Sequence, residues 1–351
     1  MRNKFTAALV ACAFVLNAFG TVFADTKAIK KTTQTNTLAA LLPASDGVLT
    51  IDMEKVLSEA VPQILSGNQP MLTEINSKID EVREKTGLDL RQFEQVAVGV
   101  ATKQISAQEI DLEPMFLARG KYNANALITL AKIASKGKYR EEKVGSRIVY
   151  VFSGKEIVEQ NKSVAKSSKN SWFDQAFERM IDGLMKEVAV TSYDGNTLAF
   201  GSVARVNETL NAKTRISGEL LGLVNRKPNA VAAFGGNLPN SLSNLLGLNN
   251  DELAVTLDSI RQMSGAMELV NGDTAVSVTA KTLKVEQAQR LQDMLELYQG
   301  LGKSVLGGSK GADKQVYSRM INNAKITRSQ TEISFDLQVP QTDINILIGA
   351  K

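Results

Sequence analysis

Three short motifs in this chain carry the residue types of a serine/lysine acyl-transfer site: Ser163-Val164-Ala165-Lys166, Ser66-Gly67-Asn68 and Lys85-Thr86-Gly87. That chemistry needs S-x-x-K, S-x-N and K-T-G converging on one cleft, with the lysine lowering the cost of taking a proton from the serine. Here the order is reversed. The S-x-x-K comes last, in a Lys/Ser-rich stretch, and Lys85-Thr86-Gly87 is better explained as the end of a helix. Glu109, Asp111 and Glu113 alternate as calcium-loop ligands do, yet Pro114 stands where the loop needs glycine and Gly120 where it needs a bidentate glutamate. The plainer reading is a charged loop between two strands. Gly302-Lys303-Ser304 has the end of a phosphate loop, but Leu297 replaces its first glycine and no strand precedes it.

Gly235-Gly236 is placed better, because the pattern predicts a strand before it and a helix after it, so its amides could receive an anion; a tight turn is the alternative. Lys162, Lys166 and Lys169 among serines, and Lys303, Lys310 and Lys314 among glycines, predict two basic loops able to touch anionic groups or simply to be solvated. Gly235, Gly236, Lys162, Lys166 and Lys169 are therefore the candidate ligand or anion contacts. No catalytic, cofactor-binding or metal-ligating set is predicted.

Composition narrows the chemistry further. The 351 residues include no histidine and one cysteine, which excludes Ser-His-Asp and Cys-His nucleophilic systems, His-ligated zinc and a histidine pH switch. Arg2 and Lys4 precede an uncharged run from Phe5 to Phe23 that ends in Val22-Phe23-Ala24. This is the pattern of an export signal with cleavage after Ala24. Leu9-Val10-Ala11-Cys12 spells the alternative, a lipoprotein box with acylated Cys12, although apolar sequence continues past that cysteine. Cleavage removes Arg2, Lys4 and Cys12, so the formal charge falls from +4 to +2 and no thiol remains. A periplasmic or secreted protein without disulfides must be stabilised by its core. So small a net charge, with few exposed aromatic residues expected, argues against nucleic-acid binding, and no further transmembrane segment is predicted.

The elements that would hold these residues repeat. Residues 25–37 read as a flexible leader. From Leu38 the hydrophobic periods predict strand Gly47 to Ile51, a helix with Val56, Leu57, Ala60, Val61, Ile64 and Leu65 inward, a second helix from Met71 to Gly87, strands near Gln95 to Ala101 and Met115 to Arg119, and a helix with Leu127, Leu130, Ala131 and Ala134 inward. A helix through Phe173, Phe177, Met180, Ile181 and Leu184, a hairpin at Asp194-Gly195 and a short helix around Val206 and Leu210 follow. The second half gives the same order: strand Asn229 to Phe234, helix Leu238 to Gly247, a helix with Leu253, Leu257 and Ile260, a hairpin at Asn271-Gly272, a long helix with Val285, Ala288, Leu291, Leu295, Tyr298 and Val305 on one face, a helix through Val316, Met320 and Ile321, two strands, and a short helix at Ile344, Leu347 and Ile348.

The expectation is an α+β protein: a tandem duplication of a β-α-α-β-β-α-α-β-β-α unit, with antiparallel sheets covered by helices. The lobes would be 38–226, with an insertion at about 139–171, and 227–351, joined near Lys213 to Pro228. Leu41-Leu42-Pro43-Ala44, Gly87-Leu88-Asp89 leading into Val96-Ala97-Val98-Gly99, and Phe116-Leu117-Ala118-Arg119-Gly120-Lys121-Tyr122 resemble a family of uncharacterised exported bacterial proteins. The resemblance implies an exported, duplicated α+β protein and brings no catalytic residues. The function expected is non-catalytic binding or scaffolding of an envelope component or protein partner, without cofactor; a histidine-independent hydrolase and a carrier of an apolar ligand are the alternatives.

Overall fold

A computed structural model of the chain describes residues 37–106, 109–153, 187–211, 213–239, 243, 252–308 and 311–349. Its frame is one antiparallel sheet of twelve strands: β1 (Gly47–Asp52), β2 (Phe93–Ser106), β3 (Glu109–Gly120), β4 (Tyr139–Val144), β5 (Arg147–Phe152), β6 (Val188–Asp194), β7 (Thr197–Gly201), β8 (Ala232–Asn237), β9 (Ile260–Val270), β10 (Asp273–Thr282), β11 (Lys325–Ser329) and β12 (Glu332–Val339). Their order across the sheet is β11-β12-β10-β9-β8-β1-β2-β3-β7-β6-β5-β4. The expectation of separate sheets is thereby corrected. β1 pairs with β8 from Gly47↔Gly236 to Ile51↔Ala232, so the two halves of the chain share one sheet with no cleft between β1 and β8. The physical reason is that pairing these strands satisfies two edges that would otherwise be open.

Nine helices are described. Three consecutive pieces, Met53–Lys55, Val56–Ala60 and Val61–Ile64, form α1, whose middle turn is π-helical. They are followed by α2 (Gln69–Thr86), α3 (Ala124–Ala134), α4 (Val203–Asn211), α5 (Gly218–Val224), α6 (Glu252–Leu257), α7 (Val285–Leu306), α8 (Ala312–Asn323) and α9 (Gln341–Leu347). Alternation along each strand sorts the core into two layers. On one face Val48, Ala97, Leu117, Ala199, Ala189, Val149, Val151, Ala233 and Ala266 meet Leu38, Ala39 and Leu42, Val206 of α4, and Leu220, Leu223 and Val224 of α5. On the other, Ile51 and its neighbours meet α1 and α2 through Val56, Leu57, Val61 and Ile75. That second face continues outward under α3, with Ala124 and Ile128 against Leu198. In the other direction it continues under α7, with Ala288 and Leu291 against Ile260 and Ile333, and under α8 and α9.

α5 lies where the joint between lobes was expected, and it is itself core: Leu220 is 1% exposed. Past it no core cluster of the described residues lies on the first face across β10 and β12, and the residues there are mostly polar, with Thr279 and Ser334 hydroxyls 3.2 Å apart. A solvated sheet face carries such residues without cost. The short helices that close the two halves differ in placement, since α4 packs on the first face and α9 on the second.

Other expectations also change. The segment near Glu109 is strand, not loop, because β2 and β3 run on as a two-stranded ribbon paired from Thr102↔Leu112 to Ser106↔Glu109. The expected insertion begins with the β4–β5 hairpin, which extends the sheet edge beside β6; its remainder, and the helix through Phe173 to Leu184, lie outside the described residues. Apart from Leu238, Pro239 and Ser243, so does the body of the helix expected after Gly236. Ala134 is exposed, and Ile260 opens β9 instead of closing a helix. At the β9–β10 turn Asn271 and Gly272 have φ of 53° and 85°, the pair of positive values a two-residue type I′ turn requires.

Candidate functional site

Among the described residues, those singled out for chemistry do not come together. Gly235 and Gly236 are not a turn: β8 runs through them to Asn237, and they face Val48 and Gly47 on one side and Ser264 and Met263 on the other. Their backbone lies in a central strand flanked on both sides, not at a helix N-terminus able to cradle an anion. A glycine is needed at 235 for packing, because a Cβ there would stand 2.6 Å from Cβ of Leu223 on α5. Ser163, Lys162, Lys166 and Lys169 lie outside the described residues. Ser66 and Asn68 have structural partners: Asn68 Oδ1 accepts from Met71 N at 3.2 Å to cap α2, its Nδ2 donates to Ile348 O at 3.0 Å, and Ser66 Oγ accepts from Gln341 at 3.2 Å. These bonds tie the α1–α2 turn to α9, and Gly87 caps the end of α2.

Glu109, Asp111 and Glu113 occupy alternating positions of β3, and no group of three His, Cys, Asp or Glu residues able to hold a metal ion exists among the described residues. Gly302, Lys303 and Ser304 are inside α7, and Lys314 is inside α8, so neither lysine belongs to a loop; Lys310 is outside the described residues. A phosphate loop is excluded at Gly302 because a helix interior uses its own amides.

Much of the remaining charge secures the fold. Arg205 of α4, 3% exposed, donates to Ala44 O at 3.0 Å and Ser45 Oγ at 2.8 Å and pairs with Glu208. Arg215 donates to the carbonyls of Leu41 and Thr209 and to Tyr193 Oη. Together they fasten residues 41–45 over the first layer of the core. The hydrogen bond from Arg91 holds the Asp80 carboxyl below its ordinary pKa, and that from Arg140 does the same for Glu187. Arg319 forms a two-nitrogen pair with Asp343, and that hydrogen bonding raises the guanidinium pKa. Burial pushes the Tyr122 hydroxyl well above its usual range, and its proton is donated to Ala118 O.

The surface of α7 is different. Its first half is anchored by Ala288 and Leu291. Further along, Gln299 Nε2 bonds Ile321 O and Ala324 O, each at 2.8 Å, and Gly302 admits Ile321 of α8, whose Cδ1 would be 2.9 Å from a Cβ at that position. These contacts cover one side only. Leu297, Tyr298, Leu301 and Val305 are 61%, 43%, 53% and 75% exposed. Tyr298 and Val305 were expected inward with Leu291 and Leu295; among the described residues the apolar stripe instead outlasts the elements that cover it. The spacing of three and four residues was visible in the sequence, but nothing in it marks where cover ends. At the opposite end of α7, a cavity of about 230 Å³ is lined by Val255, Thr256 and Ser259 from α6 and the turn after it, and by Lys284, Glu286, Gln287 and Arg290.

No family model matches the chain, and no curated protein does. Among solved structures it is similar to TP0453 in three crystal forms. Form III shares 9% identity over 91% of this chain and 100% of that one, with a TM-score of 0.42. Form I gives 10%, 91%, 98% and 0.40, and form IV 10%, 90%, 97% and 0.43. No helix among the described residues is long and apolar enough to cross a membrane.

Proposed function

We propose that the chain is an exported, non-catalytic binding or scaffold protein made of two lobes of one duplicated α+β unit, and that the exposed face of α7 engages a protein partner. The duplication is supported by strand order. The first half runs β1-β2-β3-β7-β6 and the second β8-β9-β10-β12-β11, and both start from the β1–β8 pair at the centre. In each, the third strand is followed by a return that places the last strand beside it and the penultimate strand outside. β4 and β5 are then an addition to the first lobe, and the opposite placements of α4 and α9 mark where the copies have diverged. Export rests on the charged, apolar and small-residue pattern of residues 1–24, with a lipid on Cys12 as the alternative.

The observation that carries the binding role is the row Leu297, Tyr298, Leu301 and Val305, exposed on a helix whose other face is well packed. Large apolar side chains clustered in solvent mark contact surfaces. The test is capture from envelope extract with the purified protein and with a Leu297→Glu/Leu301→Glu variant that keeps the native melting curve. A partner recovered by the native protein and lost by the variant supports the reading. Equal recovery with both, or none with either, overturns it.

A further inference from the structure

The cavity at the start of α7 has an arrangement of charge that the binding face does not use. Two hydroxyl residues of its lining are almost fully buried: Thr256 is 5% exposed and Ser259 6%. Each has already spent its proton on the backbone, Thr256 Oγ1 donating to Glu252 O at 2.8 Å and Ser259 Oγ to Thr256 O at 2.6 Å. Toward a ligand both oxygens therefore act as acceptors only. Gln287 Oε1 accepts from Lys284 N at 3.0 Å, which fixes the amide so that its NH₂ is the group left to donate. Among the described residues the Lys284 ammonium, the Arg290 guanidinium and the Glu286 carboxylate have no ion-pair partner within 4.0 Å, although all three line one cavity.

Donors with positive charge and acceptors with negative charge are thus both present and both uncommitted. A simple anion would use Lys284, Arg290 and Gln287 and leave Glu286 opposing it; a simple cation would use Glu286 and the hydroxyls and face two positive groups. A molecule with an acid at one end and an amine at the other satisfies every group. Size sharpens the choice. About 230 Å³ is roughly the liquid volume of eight waters and lies below the range of roughly 300–1,000 Å³ typical of drug-sized ligands, which suits one amino acid and is too small for a nucleotide or an oligosaccharide.

We propose that this cavity is a binding site for a small zwitterion of the amino-acid class, with its carboxylate between Lys284 and Arg290 and its ammonium directed to Glu286 and the Thr256 and Ser259 oxygens. Three partly exposed charges in an open site give weak binding, with a dissociation constant on the order of 1 mM.

The experiment is a titration of the purified protein, followed by isothermal calorimetry and by amide chemical shifts, with glycine, L-alanine and L-glutamine as probes and with acetate, ethylamine and inorganic phosphate as controls. Saturable binding of at least one amino acid, at least tenfold tighter than acetate, ethylamine or phosphate, is expected. Lys284→Gln and Arg290→Gln should each weaken it about tenfold. Glu286→Gln should weaken the amino acid about tenfold and leave acetate unchanged. All three positions are exposed, so native melting curves should be kept, and the Leu297→Glu/Leu301→Glu variant should bind the amino acid normally. Phosphate or acetate binding as tightly as the amino acids, variants that bind unchanged, or the absence of saturation up to about 20 mM would each overturn the proposal.

Discussion

Replacing Gly235 by alanine separates a packing glycine from a ligand-binding one. The new Cβ would stand 2.6 Å from Leu223 Cβ, 2.9 Å from its Cδ1 and 3.3 Å from its Cγ. Carbon atoms prefer roughly 3.5–4.0 Å, so α5 must withdraw by about 1 Å from the centre of the sheet. Overpacking of this kind costs about 1–3 kcal/mol. Alanine in a strand interior recovers about 0.5–1 kcal/mol of backbone entropy relative to glycine. The net expectation is a destabilisation of about 0.5–2 kcal/mol. Leu223→Ala alone, at a site 6% exposed, should cost about 2–5 kcal/mol through lost burial and a cavity. In the double variant the contacts at 2.9 and 3.3 Å vanish with Cδ1 and Cγ of Leu223, whereas the 2.6 Å contact to the retained Cβ stays, so the clash is eased only in part and the two costs should fall short of additivity by about 0.5–1 kcal/mol. Urea denaturation of the native protein, both single variants and the double variant gives all four values. A neutral Gly235→Ala, or strictly additive costs, would refute the packing explanation and reopen the possibility of an exposed anion-binding turn.

The clasp on the N-terminal segment is tested by Arg215→Ala, which removes hydrogen bonds to the carbonyls of Leu41 and Thr209. A loss of about 2–3 kcal/mol and new proteolytic cleavage within residues 38–45 are expected, read by denaturation and by mass spectrometry of limited digests. The pH dependence of stability follows from the depressed Asp80 and Glu187 carboxyls. Their stabilisation is complete above the unfolded value near pH 4 and is lost as pH falls through the lower folded value. With no histidine, stability should be nearly flat between about pH 6 and 8. Glu187→Gln should shrink the acid-side loss, measured as urea midpoints across the pH range.

Local structure with its own chemistry was readable from the residues. Asn271-Gly272 is a two-residue turn wherever strands flank it, and the stripe from Val56 to Leu65 could only be a buried helix. The β4–β5 hairpin carried a signal too, in the apolar residues of Arg147–Phe152 after Gly145, which the lysines and serines nearby obscured. Strand extension was not readable, since Thr102 to Ser106 and Glu109 to Glu113 are polar enough to pass for a loop, and their strand form comes from pairing with each other, with Thr102 also bonded to Asp46. Gly235-Gly236 misled for a related reason. Two glycines suggest a turn locally, and the cause of the first is a leucine twelve residues earlier on a helix that crosses the strand. The exposed row on α7 was visible as periodicity, but which part of it is covered depends on where α8 ends and the sheet stops.

The pairing of β1 with β8 is what makes the two halves one sheet, and a cross-link tests it most directly. Thr50 and Ala233 are facing Cα partners, and with Cys12 replaced by serine the chain has no other thiol. Thr50→Cys/Ala233→Cys should oxidise almost completely to an intramolecular disulfide under mild conditions, while Leu49→Cys/Ala233→Cys, whose side chains lie on opposite faces, should not. Equal cross-linking of both pairs, or of neither, would contradict the shared sheet.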